Sequence, residues 1–70
     1  MKAEELSRLN AYFGKVFGAA GIQVRARPQK TDSAEVYKGD EFLGILYRDD
    51  EDGDLSYNFS MAILDIDLDE

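Results

Sequence analysis

Histidine, cysteine and tryptophan are absent from this 70-residue chain, and Pro28 is its one proline. These absences exclude much chemistry. Without His or Cys there is no ligand set for a zinc finger, an iron–sulfur cluster or a haem, and no cysteine nucleophile or histidine-dependent triad. No disulfide can form, so nothing in the composition points to an oxidising compartment. No apolar run approaches the ~18 residues of a membrane span. Met1–Ser7 lacks the charged-then-apolar pattern of a secretory leader. We therefore expect a cytoplasmic chain with no membrane segment, metal or cofactor.

What is present describes one small acidic domain spanning residues 1–70. Eight Lys+Arg stand against 15 Asp+Glu, for a net charge of -7, and 44% of residues are hydrophobic, enough for a core. A core in so short a chain rarely supplies more than about 3–5 kcal/mol unless it is stapled. With disulfide and zinc staples excluded, idealised packing or oligomerisation must serve, and a weak homodimer is expected.

The first segment has helical periodicity. At about 100° per residue, Leu6, Leu9, Tyr12, Phe13, Val16, Phe17 and Ala20 share an arc of about 140°, with Glu4, Arg8, Asn10 and Lys15 outside it. Glu4 and Glu5 suit the first turn, and Gly18 and Gly21 bracket the end. Gly14 in mid-helix costs about 1 kcal/mol relative to Ala and has no evident packing reason.

From Ile22 the period changes to two. Ile22, Val24 and Ala26 alternate with Gln23, Arg25 and Arg27, predicting a strand with one apolar face. Pro28 to Asp32 reads as a turn, Ala34 to Lys38 as a second strand and Glu41 to Arg48 as a third. Gly39-Asp40 is the dipeptide of a two-residue type II′ hairpin, pairing Lys38 with Glu41 and Tyr37 with Phe42. Continued without a break, that register sets Val36 opposite Leu43 and Ala34 opposite Ile45. A fourth strand runs from Leu55 to about Leu64 or beyond, with the Leu64–Glu70 tail left undecided between overhanging strand and disorder. A three-residue Glu51-Asp52-Gly53 loop would pair Tyr47 with Tyr57, Ile45 with Phe59 and Leu43 with Met61, gathering them on the face of Val36. The expected fold is α+β, with the N-terminal helix packed on one face of a four-stranded antiparallel β-meander.

No catalytic residue stands out. Ser7, Ser33, Ser56 and Ser60 have no histidine to activate them, and the carboxylates gather on turns and the tail. The acidic run Asp49–Asp54 fails as a calcium loop, since aligning Gly53 with the EF-hand glycine puts Arg48 first and Phe59 twelfth. Weak divalent-cation binding there stays open. Charge is polarised, with residues 1–38 at +3 and residues 39–70 at -10. The register leaves Arg25, Arg27, Tyr37, Phe42, Leu46 and Arg48 on the sheet face away from the helix. We take these six as a candidate partner interface, because Tyr, Phe and Arg are enriched at protein interfaces. Aromatics beside arginines also suit stacked bases, but the acidic balance disfavours phosphate. The expected function is a small non-enzymatic protein–protein interaction module of unknown partner, which includes a second copy of itself. The alternative is a nucleic-acid-binding accessory protein using the open face.

The run from Arg48 through Asp49-Asp50-Glu51-Asp52-Gly53-Asp54-Leu55-Ser56-Tyr57, continuing through Met61-Ala62-Ile63-Leu64-Asp65-Ile66-Asp67-Leu68, resembles a family of short uncharacterised alphaproteobacterial proteins, domain of unknown function 3126. The helix followed by Val24-Arg25-Ala26-Arg27-Pro28 and Gly39-Asp40-Glu41-Phe42 resembles it too. The resemblance covers essentially the whole chain. It implies a bacterial cytoplasmic protein and brings no activity, ligand or catalytic residue with it.

Overall fold

A computed structural model of the chain describes residues 1–18, 21–51 and 53–69. Ala20 of the apolar arc, Asp52 of the acidic turn and Glu70 of the tail lie outside them. Helix α1 spans Ala3–Phe17. At its start the Lys2 N–H donates to Glu5 Oε1 at 3.1 Å, and Glu4 and Glu5 add negative charge where the helix dipole favours it. Gly18, at φ 76°, ends the helix where a side chain would be strained. Among the described residues no helix is long and apolar enough to cross a membrane.

Four strands follow in an antiparallel sheet of order β1-β2-β3-β4: β1 Ile22–Arg27, β2 Lys30–Lys38, β3 Glu41–Asp49 and β4 Ser56–Met61. The α+β meander expected from the sequence is the fold observed. The β2–β3 hairpin also follows its prediction, with Lys38 opposite Glu41 and Tyr37 opposite Phe42. Gly39 has φ 60° and Asp40 has no positive φ, as a type II′ turn requires.

Register departs from expectation in four places. The first turn is Pro28-Gln29 alone, so Lys30, Thr31 and Asp32 belong to β2. Just past the second hairpin a bulge shifts β3 by one residue, so Val36 faces Gly44 and Ala34 faces Leu46, not Leu43 and Ile45. Third, the β3–β4 pairing sets Arg48 opposite Tyr57, Tyr47 opposite Asn58 and Leu46 opposite Phe59. The expected Tyr47–Tyr57 pairing is therefore wrong. The bulge reverses which β3 residues face the helix, so Phe59 still reaches the helix side through Leu46. Finally, β4 stops at Met61, and Asp65–Leu68 form a short 3-10 turn rather than an overhanging strand. There the Leu64 N–H donates to Asp67 Oδ2 at 3.0 Å, a local bond that competes with extension.

The core is small. Leu9 and Phe13 from α1 meet Val24, Ala34, Val36 and Leu46, with Leu6, Ile22, Leu43 and Tyr57 packed at its margin. Gly44 admits the close approach of β4, because a Cβ there would overlap the Ser60 carbonyl oxygen. Asn10 ties the helix to the sheet. Its Nδ2 donates to Val24 O at 3.0 Å and to Leu6 O at 2.8 Å, and its Oδ1 accepts from Val24 N–H at 2.8 Å. Both backbone groups that Val24 turns outward on the β1 edge are thereby satisfied.

Candidate functional site

The six residues expected to share the open face do not all do so. Arg25, Tyr37 and Phe42 form a cluster there: the Arg25 guanidinium lies 4.2 Å from the Tyr37 ring centroid, and Tyr37 and Phe42 meet edge to face at 5.6 Å. Arg25 also donates to Gln23 Oε1 and Gly39 O, and Tyr37 donates to Glu35 Oε1 at 3.1 Å. That bond pushes the Tyr37 hydroxyl pKa up. Arg27 is turned to Ser33, whose Oγ accepts from Nη1 at 3.1 Å. Leu46 lies in the core at 2% exposure, on the opposite face. Arg48 is also on the helix face, because the bulge moves both residues across the sheet.

Arg48 belongs to a polar latch at the start of α1. The Tyr57 hydroxyl donates to Glu5 Oε2 at 2.8 Å, and Arg48 Nε lies 2.9 Å from the same oxygen. The Nε–H is not aimed for a hydrogen bond, so the Arg48–Glu5 contact is an ion pair. The Tyr57 bond, the Lys2 N–H and the Arg48 charge together hold the Glu5 carboxyl below its usual range, against a smaller effect of desolvation. Desolvation first, then the bond to Glu5, raises the Tyr57 hydroxyl pKa. Every member of this group has an internal partner, and its chemistry is that of a clasp.

Above the clasp runs a groove of about 890 Å³ between α1 and the β3–β4 half of the sheet. Leu9, Tyr12, Phe13, Val16 and Phe17 form its helix wall, and Leu46, Leu55, Tyr57 and Phe59 its sheet wall, with Glu5 and Arg8 at one end. Its origin is geometric. Four strands at ~4.8 Å spacing are wider than one helix of ~10 Å can cover. Because α1 packs over β1, the uncovered half is the one carrying β4. Phe59 leans on Phe13 at 5.8 Å between centroids, and Phe13 on Phe17 at 5.4 Å. Tyr12, Val16, Phe17 and Leu55 nonetheless stay about half exposed. The signal was already in the sequence, since an apolar arc of about 140° is broader than one helix–sheet contact needs.

Two further features adjoin the groove. Strand β4 is an edge, and its Ser-Tyr-Asn-Phe-Ser-Met sequence carries no charge. After it, Ile63, Leu64, Ile66 and Leu68 are 60–72% exposed. In the acidic turn, Asp50 Oδ2 lies 3.3 Å from Arg48 Nη1 and Asp49 Oδ1 accepts from Glu51 N–H. Among the described residues no three carboxylates converge on a point that would hold a metal ion.

The sequence model of a family described as "Protein of unknown function (DUF3126)" matches residues 5–67. No curated protein and no solved structure matches the chain.

Proposed function

We propose, for a chain that belongs to the DUF3126 family and takes no activity from it, a role as a small non-enzymatic protein-interaction module of the bacterial cytoplasm. The groove between α1 and β4 is its binding surface. One observation carries this reading: in a chain that is 33% charged, the exposed apolar residues Tyr12, Val16, Phe17, Leu55 and Phe59 line one continuous depression. Contiguous exposed apolar surface of this kind marks a partner site more often than scattered exposure does. Aromatic anchors within it are the residue types that dominate protein interfaces.

This surface replaces the open sheet face as the leading candidate, because Leu46 and Arg48 have left that face and Arg27 is engaged by Ser33. The nucleic-acid alternative has Arg25, Tyr37 and Phe42 for stacking, with Tyr47 opposite Ser33 on the same face, under a net charge of -7. A photoreactive phenylalanine analogue at Tyr12 or Phe17, introduced in growing bacterial cells, tests the proposal. Irradiation should yield protein adducts from both groove positions and none from the same analogue at Lys30. Folded protein that gives no adduct from either groove position would refute the reading.

A further inference from the structure

We infer that the groove is filled by the Ile63–Leu68 segment of a second copy of this chain, delivered by antiparallel pairing of the two β4 edges. The inference rests on the reading of the groove as a protein-binding surface and names its occupant.

The sheet has two free edges, and only one is guarded. On β1, the Asn10 side chain takes both backbone groups that Val24 presents outward, and a partner strand would have to displace it. Strand β4 has no such cover. It contains no charge, no proline and no glycine, and its register against β3 runs without interruption from Asp49–Ser56 to Gly44–Met61. Edge strands are ordinarily blunted by charges, prolines or bulges. Each of the other three strands carries at least two charged residues, whereas β4 carries none.

Self-pairing of β4 about a twofold axis sets Ser, Tyr, Asn, Phe and Met against one another with no like charges opposed. Asp54 of one copy and Asp65 of the other flank the same end of the ladder, a like-charge approach that keeps the association weak and is relieved by salt. Antiparallel pairing also sets the Met61 end of one strand beside the Ser56 end of the other. The segment leaving Met61 therefore emerges beside the partner copy's groove at the end walled by Leu55, Tyr57 and Arg8.

The segment and that end of the groove are complementary. Ile63, Leu64, Ile66 and Leu68 are among the most exposed apolar side chains of the described residues, and the last three alternate with Asp65, Asp67 and Asp69. The groove offers apolar walls, and at its rim Arg8, which has no ion-pair partner among the described residues, stands with Glu5, whose charge is already paired with Arg48. Reciprocal exchange fills both grooves and both edges at once, the closed isologous arrangement most homodimers adopt.

Sedimentation of the full chain should show association from 7.9 kDa toward twice that mass as concentration rises to ~1 mM. Asn58→Lys combined with Ser60→Lys, both at exposed positions, should raise the dimer dissociation constant by about tenfold or more with an unchanged circular dichroism spectrum. Ile66→Asp with Leu68→Asp should weaken association comparably while leaving β4 intact. Because the chain has no cysteine, Asp69→Cys accepts a single spin label. Mixed with an isotope-labelled unmodified copy, it should broaden amide signals of Arg8, Leu55 and Tyr57. A chain that stays monomeric at ~1 mM, or a dimer whose broadening falls on Arg25, Tyr37 and Phe42, overturns the inference. A monomer whose groove still cross-links to other proteins overturns only the choice of occupant. Loss of both signals overturns the groove reading as well.

Discussion

Replacing Asn10 by alanine should destabilise the domain by about 2–3 kcal/mol, although the residue lies on a flank of the helix. The substitution removes three hydrogen bonds of 2.8–3.0 Å. The bond to Leu6 O matters least, because that carbonyl keeps its helical partner. The two bonds to Val24 matter more, since Val24 is only 4% exposed and water reaches its amide poorly. A net hydrogen bond contributes about 1 kcal/mol, and each group left buried without a partner costs about 1–3 kcal/mol. Alanine returns up to about 0.7 kcal/mol through its better helix propensity. In a domain of this size the balance corresponds to a fall in Tm of roughly 8–20 °C. Urea unfolding at one fixed low concentration measures the loss without a contribution from association, and exchange of the Val24 amide should accelerate in parallel. Asn10→Asp should be at least as harmful, since it sets a carboxylate against Val24 O. A loss below about 0.5 kcal/mol with undiminished Val24 protection would refute the reasoning.

Other substitutions test other parts of the fold. Gly14→Ala should stabilise by about 0.5–1 kcal/mol in urea unfolding, because nothing lies within 4 Å of the added methyl and the helix gains propensity. Gly44→Ala should cost about 1–3 kcal/mol, since its Cβ would overlap the Ser60 carbonyl oxygen and lie 3.0 Å from Phe59 Cε1; a neutral result would place β4 further from β3 than described. The pKa of Glu5 is depressed in the folded state, so its stabilising contribution is complete above the ordinary carboxylate range and is lost as pH falls through the lowered value. Tyr57→Phe removes the largest cause of that depression. It should cost about 1 kcal/mol at neutral pH, discounted for partial exposure, and progressively less in acid. An equal loss at pH ~3 and pH ~7 would mean the hydroxyl is not acting through Glu5.

Local rules carried much of the architecture. The helix was legible because its 3.6-residue period, acidic first turn and terminal glycine all agree. The β2–β3 hairpin was legible because Gly39-Asp40 admits few turn types and leaves Lys38 facing Glu41. Each of these depends on residues within a turn or two of one another. The β3 faces were not legible in this way. Phe42-Leu43-Gly44-Ile45-Leu46-Tyr47 is apolar at both parities, so its alternation cannot reveal a one-residue bulge. Whether Ile45 or Leu46 enters the core depends on where Leu9 and Phe13 sit and on the close approach that Gly44 permits, both long-range facts. That choice carried Leu46 and Arg48 off the expected interface and brought Arg48 to Glu5. The absence of charge from Ser56 to Met61 is plain in the sequence, but it gains meaning only when the topology makes β4 an edge. Asn10 is the converse case. It lies about 20° beyond the apolar arc. Only the packing of α1 over β1 turned a flanking polar residue into the group that closes a strand edge.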